Sequence, residues 1–187
     1  VTVAHTTATC STRSGSGKHH VWRIGVAAHE WNGVSSPNAD GSRTSYIAPT
    51  IASVTNCDTM TAGSCIQGKT QNIATDGTTI VFIIGNNFGP KPLAGDKCAP
   101  DTPAAVSAGY SNSLGYNYDV NGADACVVTE DHTQIRCKTV PGVSKDFVWT
   151  VTVDGISSAA SSPASGDMTA YDPPIINGIE GPGAYGA

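Results

Sequence analysis

An all-β, turn-rich fold is what this sequence predicts, on three observations. The apolar residues fall in short β-branched runs, and the longest, Ile80-Val81-Phe82-Ile83-Ile84, has strand length. No window of helical length carries a 3.6-residue apolar period, and Leu, Glu and Lys, which build long helices, are scarce. Gly (21), Pro (11) and 39 Ser and Thr punctuate the 187 residues as turn signals. A hydrophobic fraction of 39% is too high for a disordered chain, and Gly without a three-residue period excludes collagen.

The elements follow in order. Thr79-Ile80-Val81-Phe82-Ile83-Ile84 is nearly continuous in apolar character, the pattern of a strand covered on both faces, and Gly85-Asn86-Asn87 ends it. Residues 89–125 are the least regular part, to be read as a long loop or short edge strands. Gly89-Pro90-Lys91-Pro92 and Pro100-Asp101-Thr102-Pro103 predict rigid loops there, and Tyr110, Tyr116 and Tyr118 stand in a Gly/Ser/Asn-rich setting. Thr133-Gln134-Ile135-Arg136-Cys137 alternates, so Ile135 and Cys137 share one face and Gln134 and Arg136 the other. Val148-Trp149-Thr150-Val151-Thr152-Val153 places Trp149, Val151 and Val153 inward, and Asp154-Gly155 is a two-residue turn into a further strand. Ala48-Pro49 and Asp172-Pro173-Pro174 read as stiff linkers. About seven strands per unit fit an immunoglobulin-like sandwich.

The chain is also similar to itself. At an offset of 127, His5 falls on His132, Cys10 on Cys137, Lys18 on Lys145 and Trp22 on Trp149. At an offset of 125, Gly41 meets Gly166, Thr44 meets Thr169, Tyr46 meets Tyr171 and Pro49 meets Pro174. Residues 1–47 are thus expected to be the back end of one repeat, 48–173 a complete repeat and 174–187 the start of a third. A unit of this size is a small domain rather than a solenoid turn. The partner expected for Cys10 would fall just before Val1, and there is no initiator Met or signal-peptide pattern; the expectation is an excerpt of a longer polypeptide, or a unit completed by a neighbour.

A net charge of −5 with thinly spread basic residues argues against nucleic-acid partners. No apolar run is long enough to span a bilayer. The six cysteines include no C-x-x-C pair. Cys57 and Cys65 bracket a polar loop and Cys126 and Cys137 a hairpin-sized segment, which reads as locally paired cysteines of a secreted protein. Buried thiols in a cytosolic protein remain the alternative. Cys98 has no evident mate. No Asn-x-Ser/Thr sequon occurs, which leaves only O-linked sugars open.

Motifs that could carry chemistry are weak. His29-Glu30 lacks the second His of a zinc-protease helix, so His19, His20 and His29 read as surface residues and no metal is expected. In Asp119-Val120-Asn121-Gly122-Ala123-Asp124 the Gly and an oxygen ligand are misplaced for a calcium loop, and a turn is the simpler reading. Residues 63–70 match the phosphate-loop pattern, but a polar loop precedes them and a poor helix follows, so the match reads as accidental. Gly15-Ser16-Gly17-Lys18 has a counterpart in Gly142-Val143-Ser144-Lys145, and both read as one shared turn. Trp22 and Trp149 are expected in the core, whereas Trp31, Tyr110, Tyr116 and Tyr118 are the candidates for an exposed contact surface. No catalytic residue and no cofactor are indicated.

These stretches resemble a known family. Residues 79–89, ending Gly85-Asn86-Asn87-Phe88-Gly89, look like the strand and G-x-N-F-G signature of IPT/TIG domains. Residues 133–137 with Pro141-Gly142 are similar to that family's T-x-I-x-C-x-x-P-x-G stretch, with the Pro one place later, and residues 149–158 to its V-x-V-x-V-x-G-x-x-S strand pair. The resemblance implies an immunoglobulin-like β-sandwich used in tandem in extracellular proteins, with no catalytic residues. The expectation is a non-enzymatic structural or adhesive protein outside the cell, its partners neighbouring copies of itself in a fibre. A receptor or carbohydrate-binding module using residues 89–125, with glycans as partners, is the second reading.

Overall fold

A computed structural model describes Thr7 and residues 9–24, 34–35, 43–56, 72–92, 104–122, 125–162, 168–178 and Gly181. Among them no helix occurs. The short strands β1 (His20–Val21), β2 (Arg23–Ile24), β3 (Val34–Ser35) and β4 (Arg43–Thr44) form two antiparallel pairs, β1 with β4 and β2 with β3. The body consists of β5 (Thr50–Thr55), β6 (Asn72–Ile73), β7 (Ile80–Asn86), β8 (Val106–Ser111), β9 (Asn117–Val120), β10 (Cys126–Glu130), β11 (Gln134–Lys138), β12 (Val148–Val153), β13 (Ile156–Ser157) and β14 (Ala170–Tyr171). Two four-stranded antiparallel sheets, β10-β11-β7-β5 and β13-β12-β8-β9, enclose one core, and β6 and β14 add a short parallel pair.

The all-β expectation therefore holds, and the best-patterned strands lie where expected. β7 is flanked by β5 and β11, and its Val81 and Ile83 are fully buried. Trp149, Val151 and Val153 of β12 are buried while Thr150 is exposed. Asp154 (φ 45°) and Gly155 (φ 77°) both take left-handed conformations, as a two-residue turn matched to strand twist requires. In β11, Ile135 and Cys137 face the core as expected, but Gln134 is buried too. The register against β10 shifts between Val128 and Glu130, and Gln134 sits at that irregularity between Glu130 and Ile84.

Among the described residues of 89–125, β9 is a short edge strand, as expected, but β8 is not. β8 is an interior strand, paired with β12 from Val106↔Val153 to Ser111↔Val148 and with β9 on its other side. Its sequence, Val-Ser-Ala-Gly-Tyr-Ser, has low strand propensity, so the pairing and the burial of Ala108 and Tyr110 against β12 stabilise it. Asn112 closes the β8–β9 hairpin: its Oδ1 accepts from the Leu114 N–H (3.0 Å) and Tyr116 N–H (3.2 Å), and its Nδ2 donates to the Lys145 carbonyl (2.8 Å).

Candidate functional site

Cys126 and Cys137 stand directly opposite each other on β10 and β11, and their Cα atoms are 4.2 Å apart. Such cross-strand neighbours bring the two sulfurs within reach, and a disulfide joins them. Cys10 is exposed with a free thiol. Cys57, Cys65 and Cys98 lie outside the described residues, as do His29-Glu30, Trp31 and residues 63–70. Reducing the Cys126–Cys137 bond should lower stability by about 2–3 kcal/mol through release of unfolded-state constraint. Denaturant melts of the native chain and of a Cys126→Ala, Cys137→Ala double variant measure this.

An aromatic corner fills one end of the sandwich. Trp149 on β12 stacks on Tyr110 of β8, ring centroids 4.4 Å apart, and its indole N–H donates to Thr169 Oγ1 (3.0 Å). Phe147 meets Tyr171 edge-on at 5.8 Å. The Tyr171 hydroxyl donates to the Val140 carbonyl (2.6 Å) and lies 2.6 Å from the Tyr110 hydroxyl. A side chain on Gly142 would come within 2.5 Å of the Tyr171 oxygen, so glycine leaves room for the ring.

Tyr110 is therefore a core residue, 2% exposed, and its expected role in a contact surface is corrected. β8 is interior, and the face that carries Tyr110 turns onto Trp149. Tyr118 is half-buried, with its hydroxyl bonded to both backbone groups of Val143. Tyr116 is exposed, beside exposed Leu114 at the hairpin tip. Among the described residues no group of three His, Cys, Asp or Glu is placed to hold a metal ion.

Burial raises the ionisation of both Tyr110 and Tyr171 above the usual phenol range, and in Tyr171 the hydrogen bond to Tyr110 raises it further. A raised folded-state value keeps these protons on the native chain after the unfolded chain has lost them, so stability is full below about pH 10 and falls as pH rises beyond it. A tyrosinate absorbance titration should show Tyr110 and Tyr171, two of the six tyrosines, ionising above the ordinary phenol range.

The corner has a partial copy in residues 13–46. The Tyr46 hydroxyl donates to the Arg13 carbonyl (2.8 Å), as that of Tyr171 does to Val140. The Tyr46 N–H donates to the Gly17 carbonyl and the Tyr171 N–H to that of Ser144, both at 2.9 Å. Gly17 and Ser144 have φ of 93° and 94°, and His19 and Asp146 both 61°. The Trp22 indole donates to Thr44 Oγ1 (2.9 Å), the counterpart of Trp149 and Thr169. His20 meets Tyr46 edge-on at 5.3 Å, where the complete corner has Phe147 and Tyr171. Each pair follows the sequence offsets of 127 and 125. The copy also touches the complete sandwich: Ser16 donates to Asp154, whose other carboxylate oxygen accepts the Ala105 N–H (2.8 Å).

Two packed antiparallel sheets, an inter-strand disulfide and an aromatic corner define an immunoglobulin-like β-sandwich. The IPT/TIG domain family model matches residues 64–169, more than half of the chain, and the chain belongs to that family. No curated protein and no solved structure matches it. The family's domains are generally non-enzymatic and occur in extracellular and receptor proteins.

Proposed function

We propose that the chain is a non-enzymatic extracellular structural or adhesive module, built of tandem IPT/TIG-like repeats over 1–47, 48–173 and 174–187 and associating end to end in a fibre. The observation that carries this reading is the recurrence of the corner in residues 13–46, seated through Ser16 on Asp154 of the complete repeat. A contact between unlike surfaces of successive units, repeated with a rotation that does not close a ring, extends a filament. The Cys126–Cys137 disulfide fits an oxidising compartment. Negative-stain microscopy of the native material should show linear strings of globules, and peptide mapping should recover Cys126 joined to Cys137. Compact single particles at every concentration, or a reduced pair in native material, would sink the reading.

A recognition role has one observation in its favour, the exposed Leu114 and Tyr116 at the β8–β9 tip. Glycan-array binding that disappears in Tyr116→Ala would favour it over the structural role.

A further inference from the structure

Asparagine amides are chemically labile groups, and this fold holds them with unequal firmness. Asn112 is locked. Its Oδ1 accepts the Leu114 and Tyr116 N–H groups, and its Nδ2 donates to Ser144 Oγ (3.0 Å) and the Lys145 carbonyl (2.8 Å). Asn121 is exposed just past the end of β9, and its amide makes no hydrogen bond among the described residues. Gly122 follows it, also exposed, with φ 129°. The Gly122 carbonyl accepts the Ala125 N–H (3.1 Å), while its own N–H has no partner among the described residues. A Cβ built on Gly122 would meet, among those residues, only the Ala125 methyl at 3.8 Å. Glycine thus leaves its peptide nitrogen open to attack from the preceding side chain.

We propose that Asn121-Gly122 is a site of spontaneous covalent modification, where the asparagine converts to aspartate and isoaspartate through a cyclic imide. The Gly122 nitrogen gives its proton to solvent base and attacks Asn121 Cγ. The new C–N bond closes a five-membered ring, and the former Nδ2 takes up a proton and leaves as ammonia. Water then opens the ring at either carbonyl. Breaking the bond from Gly122 N to Cγ gives aspartate. Breaking the bond from Gly122 N to the main-chain carbonyl carbon gives isoaspartate, whose main chain runs through the former side chain. An amide and a water are consumed, and an acid and ammonia are formed.

The position decides the consequence. Val120 is buried at the end of β9, and Cys126 is tied to Cys137 at the start of β10. Isoaspartate adds a methylene to the main chain between these two fixed points. It also adds a carboxylate two residues from Asp119 on an already acidic chain. The modification needs no partner and holds whether or not the chain forms fibres.

The test incubates the native chain in heavy-oxygen water at neutral and mildly alkaline pH. Peptide mapping with electron-transfer fragmentation then separates isoaspartate from aspartate. Asn177-Gly178, exposed outside any strand with nothing near Gly178, is the unconstrained reference, and Asn112 is the locked one. Position 121 should take up heavy oxygen about as fast as position 177 and several-fold faster than position 112. Isoaspartate should be the main product, and the rate should rise with pH because the attacking nitrogen must lose its proton. In urea the gap to position 112 should narrow, because unfolding frees Asn112. Hydroxylamine should cleave the native chain between Asn121 and Gly122. A native position 121 as slow as position 112, speeding up only in urea, overturns the proposal, because the turn then holds the amide away from the Gly122 nitrogen. Aspartate without isoaspartate indicates direct hydrolysis and overturns it as well.

Discussion

Trp149→Ala is expected to destabilise the sandwich by about 3–5 kcal/mol, the range for truncating a large buried aromatic. Three losses coincide at this position. The indole is fully buried on β12, so its removal leaves a cavity in the core. Its stacking partner Tyr110 loses the ring 4.4 Å away and is left with Phe147, Tyr118 and Tyr171. Thr169, itself buried, loses the indole N–H as donor to its hydroxyl. A domain of this size is stable by roughly 5–15 kcal/mol, so the loss is a large share of the whole. Urea melts followed by far-ultraviolet circular dichroism measure it. Trp149→Phe separates the terms: it keeps most of the volume and should cost about 1–3 kcal/mol, mainly the lost hydrogen bond. Trp22→Ala in the partial copy should leave the main transition where it is. A melt shifted equally by both alanine variants would contradict the difference in cover between the two corners.

Gly85→Ala should cost about 3 kcal/mol, at the upper end of overpacking effects, through a different mechanism. Gly85 lies in β7 opposite Ile51 of β5. A Cβ there would lie 1.9 Å from the Thr50 carbonyl oxygen and 2.6 Å from the Phe88 ring. The oxygen belongs to the backbone of the paired strand, so the added methyl can be accommodated only by moving β5 away from β7. Amide hydrogen exchange should speed up in residues 50–55 and much less in β12, and the chemical denaturation midpoint should fall. Unchanged protection in β5 would count against this account. Gly115→Ala is the control, because nothing lies within 4 Å of a Cβ built there and only its positive φ (89°) opposes the change.

The parts of this fold readable in the sequence are those whose cause is local. The alternation in residues 148–153 needs only neighbouring residues to place Trp149, Val151 and Val153 on one face. Asp154-Gly155 forms its turn because both residues accept positive φ. The Cys126–Cys137 pair follows from hairpin spacing. β8 was not readable, because Ser107, Ala108 and Gly109 carry no strand signal of their own and the strand exists through its pairing with β12, some forty residues later. Tyr110 was misplaced for the same reason. Its Gly- and Ser-rich neighbours imply exposure, and only its distant partners Trp149 and Tyr171 bury it.

The self-similarity draws the same line within one chain. By itself the sequence determined the all-β class and paired Trp22 with Trp149, Tyr46 with Tyr171 and Thr44 with Thr169. Backbone conformation and hydrogen bonds at those positions agree because turn geometry and short-range pairing follow from the residues themselves. Only the tertiary structure decided that Trp149 is covered and Trp22 exposed. Burial depends on which other strands pack over a residue, and no pattern within the strand carries that information.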